Sequence, residues 1–116
     1  MLFRSDLIFQ SKILGTARAL GLEFAAASTV AAAESLVHPG LRLAIVDLAN
    51  PAATTGDDLG RLRAALPATA RLLAFGSHVD VDRLRLARSS GCDPVLARSE
   101  FSARLSEILR EARTDG

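Results

Sequence analysis

The stretch Leu41–Leu48 (LRLAIVDL), followed by Asn50-Pro51, decides the fold. Its centre, Leu43-Ala44-Ile45-Val46, is continuously apolar. A strand wetted on one face alternates apolar with polar residues. A strand covered on both faces reads as an unbroken apolar run, which is the mark of a central strand in a parallel sheet. The run ends on a carboxylate, Asp47, and Asn50-Pro51 breaks it. Asp47 is therefore placed where the strand leaves the core.

Outward from this strand, strands and helices alternate. Towards the N-terminus, Met1–Phe3 is a short strand-like run, and Asp6 caps a helix with Phe9, Ile13, Ala17 and Leu20 at helical spacing. Gly21 ends that helix, Leu22–Ala26 reads as a second strand, and Ser28 caps an alanine-rich helix reaching about Val37. His38-Pro39-Gly40 is the turn before the central strand.

On the other side, Thr55 or Asp57 starts a helix carrying Leu59, Leu62 and Leu66, which Pro67 closes. Arg71–Phe75 is a fourth strand ended by Gly76. Asp80 then caps a helix with Val81, Leu84 and Ala87 inward, and Gly91 is its C-cap. Pro94–Ala97 is a short fifth strand, and Glu100 begins a last helix with Phe101, Leu105, Ile108 and Ala112 on one face. Five strand–helix units in strict alternation imply an α/β fold with a parallel sheet and helices on both faces. They form a single domain over residues 1–113, with residues 114–116 as a frayed tail.

Composition agrees. In 116 residues, 49% are hydrophobic and 23% charged, enough to bury a core without disulfides or a structural metal. The net charge of +1 gives no field for nucleic acid, and no apolar run is long enough to span a membrane. One cysteine, Cys92, forms no internal disulfide, and Arg4 and Asp6 leave no apolar leader segment, so a cytoplasmic location is expected.

In an open parallel sheet, ligands bind at the carboxyl ends of the strands. Those ends carry Arg4, Ser5 and Asp6, then Asp47, then Gly76, Ser77 and His78, then Arg98 and Ser99. Two carboxylates and two guanidinium groups share one edge, either as a site or as a structural ion pair. No G-x-G-x-x-G, P-loop, G-x-S-x-G or zinc spacing appears, and the first loop has no glycine for close approach to a flavin phosphate. His38 and His78 have no further ligands at metal spacing, and Cys92 has no His or Asp placed to activate it.

The stretch Leu43–Pro51 (LAIVDLANP) resembles the third strand and following loop of response-regulator receiver domains, the phosphoacceptor modules of two-component signalling and phosphorelays. There an aspartate takes the phosphoryl group and a proline follows four residues later. Asp47 and Pro51 match. Gly91–Phe101 (GCDPVLARSEF) resembles the fifth-strand region, with Arg98 in place of the lysine and Ser99 in place of a proline. The resemblance implies a flavodoxin-like (βα)5 three-layer sandwich, strand order 2-1-3-4-5, with two helices on one face and three on the other.

The departures point to a pseudo-receiver. The two acidic residues that hold Mg²⁺ in the family fall on Arg4 and Ser5, with Asp6 one step beyond, and an arginine repels the cation. The threonine or serine that contacts the phosphoryl group falls on Gly76, although a one-residue slip puts Ser77 there. Expected, then, is a non-enzymatic signalling or scaffolding domain with no cofactor and no metal, acting through protein partners. Asp47 is the phosphoacceptor-equivalent residue, and Arg4, Ser5, Asp6, Gly76, Ser77 and Arg98 form the pocket. Arg98 either pairs with Asp47 or points into water, and Arg4 either replaces the metal's charge or is exposed. Two alternatives stay open: a genuine phosphoacceptor with Asp47 as acceptor, and a small-ligand sensor using the strand-end pocket.

The resemblance also implies a surface, made by the fourth helix, fifth strand and fifth helix, through which receivers pair. Here it carries Arg83, Arg85, Arg88, Arg104 and Arg110 beside Asp82, Glu100, Glu107 and Glu111, with Leu86 and Val95 as the apolar candidates. Both charge signs on one face suit a weak two-fold homodimer. The arginine stripe Arg83, Arg85, Arg88 is otherwise a solvated helix face.

Overall fold

The computed structural model describes residues 2–3, 7–22, 26–27, 29–49 and 56–114. The chain runs β1 (Leu2–Phe3), α1 (Leu7–Ala19), β2 (Ala26–Ala27), α2 (Val30–Ser35), β3 (Leu43–Asp47) and α3 (Gly56–Ala65). It continues through β4 (Arg71–Gly76), α4 (Val81–Ser89), β5 (Val95–Ala97), α5 (Arg98–Ala103) and α6 (Leu105–Thr114). All pairings are parallel, in the order β2-β1-β3-β4-β5. Among the described residues β1 and β2 contribute two residues each, and β3 and β4 are the longest strands.

β3 is buried at every position. Successive side chains of a strand point to opposite faces, so its apolar run feeds two cores at once. Leu43 and Ile45 join Leu73, Phe75 and Leu96 against α1 (Ile13, Ala17), α5 (Phe101) and α6 (Leu105, Ile108, Leu109). Ala44 and Val46 join Leu72 and Ala74 against α2 (Val30, Ala33), α3 (Leu59, Leu62) with Leu66 just after it, and α4 (Ala87). The spacing of Leu105, Ile108, Leu109 and Ala112 puts one stripe of α6 on the first core, as a helix on a sheet requires.

Two helices end in the same device. After α1, Gly21 has φ +74 and its N–H meets the Arg18 carbonyl, while the Leu22 N–H reaches back to Ala17. After α4, Gly91 has φ +101, its N–H meets Arg88, and Cys92 N–H reaches Ala87. Each is a Schellman cap, with a left-handed glycine and an apolar residue after it folded onto the helix. Cys92 is buried for this reason. Burial pushes its thiol up from 9.0 to about 11, against a smaller downward pull from Arg63. The thiol stays protonated at neutral pH and serves as packing, not as a nucleophile.

Several boundaries differ from the expected ones. Leu22 is not part of strand two, because its N–H is committed to the α1 cap; residues 23–25 of the expected strand lie outside the described residues, and β2 is described at Ala26–Ala27. The α2 cap is Thr29, whose hydroxyl accepts from the Ala32 N–H at 3.1 Å, and α2 stops at Ser35. Gly76 belongs to β4. Asp80 caps α4 as its position implies, but Val81 is 52% exposed and does not face the core. The last helix starts at Arg98, directly from β5, breaks at Arg104 and continues through Thr114. The expected roles of Asp6, Ser28, Asn50, Pro51 and Thr55 fall outside the described residues. Among the described residues, no helix is long and apolar enough to cross a membrane.

Candidate functional site

Asp47 ends β3 at the carboxyl edge of the sheet, and it is the charged residue buried among those described, 2% exposed. Its Oδ1 accepts the Ala49 N–H at 3.0 Å, a local turn bond that an aspartate forms readily. Arg98 Nη2 lies 3.4 Å from the same oxygen. That distance is long for a hydrogen bond, so the attraction is mainly charge on charge across a desolvated carboxylate.

Arg98 is positioned by the strand it leaves and by an aromatic pair. As the first residue of α5 it follows β5 without a loop. Its guanidinium carbon lies 5.6 Å from the centre of the Phe75 ring. Phe75 pairs in register with Asp47 across β3 and β4. Its ring stacks on Phe101, centroids 4.3 Å apart and planes 4° from parallel. One ring thus supports the cation through its face and through the helix it anchors.

The corner next to Asp47 is filled by hydrocarbon. The Leu48 N–H continues the β3–β4 pairing to the Phe75 carbonyl at 2.9 Å, and its side chain is 2% exposed. A Cβ on Gly76 would lie 3.2 Å from Leu48 Cβ and 3.3 Å from Leu48 Cδ1. Glycine suits this close approach, and a threonine or serine would need Leu48 to shift by a few tenths of an ångström. Ser77 does not restore the hydroxyl inward: it is exposed, and its Oγ accepts its own loop's Val79 N–H at 3.4 Å.

Arg83 belongs to this edge as well, which its place in an apparent surface stripe concealed. Its Nε lies 3.2 Å from Asp80 Oδ2, and its Nη1 donates to the Leu48 carbonyl at 3.1 Å. The signal available in the sequence was Asp80 three residues before Arg83, a cap and cation at one helix end. Arg83 and Arg98 both line a pocket of about 110 Å³ with Leu48, Gly76, Ser77 and Asp80. A more open cleft of about 540 Å³ lies alongside, lined by Ser77, His78, Arg98, Ser99 and Ser102.

The structure thus brings Asp47, Gly76, Ser77 and Arg98 to one edge, while Arg4, Ser5 and Asp6 lie outside the described residues. Magnesium requires several hard oxygen donors. Asp47 Oδ1 instead meets a guanidinium and an amide N–H, a second guanidinium stands nearby, and two of the sequence positions matching the family's ligands are Arg4 and Ser5. Among the described residues, no three His, Cys, Asp or Glu side chains are grouped to hold a metal. Among the described residues this edge does not group the oxygen donors that Mg²⁺ requires, and Asp6 lies outside them.

No family model and no curated protein matches the chain. Solved structures do. The crystal structure of a response regulator from Thermotoga maritima superposes with a TM-score of 0.73 at 15% identity, over 97% of this chain and 93% of that one. A response regulator protein from Burkholderia pseudomallei, with a phosphorylated aspartic acid, calcium ion and citrate, superposes with a TM-score of 0.67 at 16% identity, over 99% and 72%. At such identities the likeness is one of architecture. The chain has the parallel α/β fold of response-regulator receiver domains.

Proposed function

We propose that this chain is a receiver-like signalling or scaffolding domain of the cytoplasm, one domain over residues 1–113, that works through protein contacts and not as an enzyme. In this reading Asp47 does not take a phosphoryl group in the Mg²⁺-dependent way. The observation that carries it is the occupied carboxylate: Asp47 Oδ1, buried, already faces Arg98 and the Ala49 N–H. Attack on a phosphoryl donor needs that oxygen exposed and the donor's charge neutralised by metal. Here one cation is already paired with the nucleophile, and Leu48 covers the strand end where a hydroxyl would help.

A genuine phosphoacceptor is the second reading, favoured by the phosphorylated aspartic acid in the Burkholderia structure of the same fold. Intact-mass spectrometry after incubation with acetyl phosphate and Mg²⁺ separates the two. No stoichiometric gain is expected; one phosphoryl group on Asp47 would overturn the first reading.

A second copy of the chain is the partner we propose first, through the face of α4, β5 and the last helix, here α5 and α6. The exposed apolar residues near it are Val79 (74%) and Val81 (52%), whereas Leu86 and Val95 are half-buried and Val95 packs on the core. Arg83 turns to the strand-end pocket, leaving the exposed Arg85 and Arg88 as the α4 cations of this face. Rim pairs contribute little affinity, so the pairing is weak. Sedimentation should show average mass rising with protein concentration, with Arg88→Glu reducing the rise. A monomer at every concentration would retire the idea.

A further inference from the structure

We infer that α4 opens from the sheet as a unit of its own and that Arg83 is the strap holding it shut, a device that stands apart from the protein-contact reading above. The apolar attachment of α4 is slight. Among the described residues it fully buries one side chain, Ala87, with Leu84 half-buried on the same core and Val81 exposed. By contrast, α6 buries Leu105, Ile108 and Leu109. A helix of nine residues is marginal by itself and owes its stability to docking. Regions with few buried apolar contacts open locally at a lower free energy than the whole domain.

A polar clasp makes up part of the missing apolar contact. Arg83 Nη1 donates to the Leu48 carbonyl just past the end of β3, 35 residues away in the chain, while its Nε lies 3.2 Å from Asp80 Oδ2. Among the described residues, no other side chain of α4 makes a hydrogen bond or ion pair to another strand or helix. Locally, a cation in the first turn of a helix opposes the helix dipole, a cost that Asp80 and the Leu48 carbonyl offset. Undocking would bring Leu48, Leu84 and Ala87, which share one core, into water together. β3 and β4 stay paired in that opened state, because their other face still packs on α1, α5 and α6.

The test is native-state hydrogen exchange of the full chain by NMR, without a partner, Mg²⁺ or a phosphodonor. Its result is thus independent of pairing and of whether Asp47 can be phosphorylated. The hydrogen-bonded amides of α4 should exchange about tenfold or more faster than those of β3 and β4, corrected for intrinsic rates. Arg83→Met keeps the aliphatic stem and removes the clasp, and should lower α4 protection about tenfold, the loss of one charge-assisted hydrogen bond. Phe101→Leu loosens the opposite core, and should lower protection in β3 and β4 while leaving that of α4 within about twofold of wild type. The inference is overturned if α4 exchanges no faster than the two strands, if Arg83→Met leaves α4 protection unchanged, or if Phe101→Leu lowers it as much as that of β3.

Discussion

Phe101→Ala is expected to lower the unfolding free energy by about 4 kcal/mol, within the range for emptying a fully buried aromatic site. Phe101 is 0% exposed and its ring lies against Phe75, which is also 0% exposed. The loss therefore combines transfer of a large hydrocarbon, a cavity that the sheet cannot collapse, and the stacking itself. In a domain whose total stability is on the order of 5–15 kcal/mol, this shifts the midpoint of thermal unfolding by more than about 10 °C. Phe101→Leu keeps most of the hydrocarbon and should cost about 1–2 kcal/mol. Urea denaturation of both variants checks this. If Phe101→Ala cost less than about 1 kcal/mol, the pair would not be the anchor of α5.

Arg98→Ala is expected to cost about 2–3 kcal/mol, below the full cost of breaking a buried ion pair because the arginine side chain is 38% exposed. The cost arises chiefly at Asp47, whose carboxylate stays 3% exposed while losing a cation. Asp47→Asn removes that charge. The double variant should consequently be more stable than the sum of the two single losses implies, by about 1 kcal/mol or more. Chemical denaturation of the four proteins closes the cycle. Strict additivity would mean that the 3.4 Å approach to Asp47 carries no energy.

How much of this was legible in the sequence depends on how local each cause is. The β3 run, Gly21 and Gly91 were readable because each rests on a few consecutive residues: an apolar stretch, or a glycine at a helix end. Leu22 reads as strand because the sequence does not show that its N–H closes the α1 cap. Helical spacing puts Val81 inward and cannot reveal that it is 52% exposed in the first turn of α4. At the site, the Asp47–Arg98 pair was legible only through a family resemblance, since 51 residues separate the partners. Beyond the Asp80–Arg83 spacing, the bond of Arg83 to the Leu48 carbonyl is not legible in the sequence, for it depends on how α4 docks beside β3 and β4. Leu48 against Gly76 belongs to the same class, because its cause is the register of two strands.

That last contact bears on how such a site could change by descent. A hydroxyl-bearing side chain at residue 76 is admitted only if residue 48 gives way, and a smaller residue at 48 helps only if residue 76 then fills the space. Threonine at 76 taken first overpacks the corner, at a typical cost of about 1–3 kcal/mol. Alanine at 48 taken first empties a buried site, at about 2–5 kcal/mol. Each substitution taken alone is expected to cost stability that the other partly offsets, so residues 48 and 76 are coupled and the path between the two forms crosses a stability barrier. Compensation at the acidic positions alone does not remove that barrier, because the obstacle at this corner is volume, not charge.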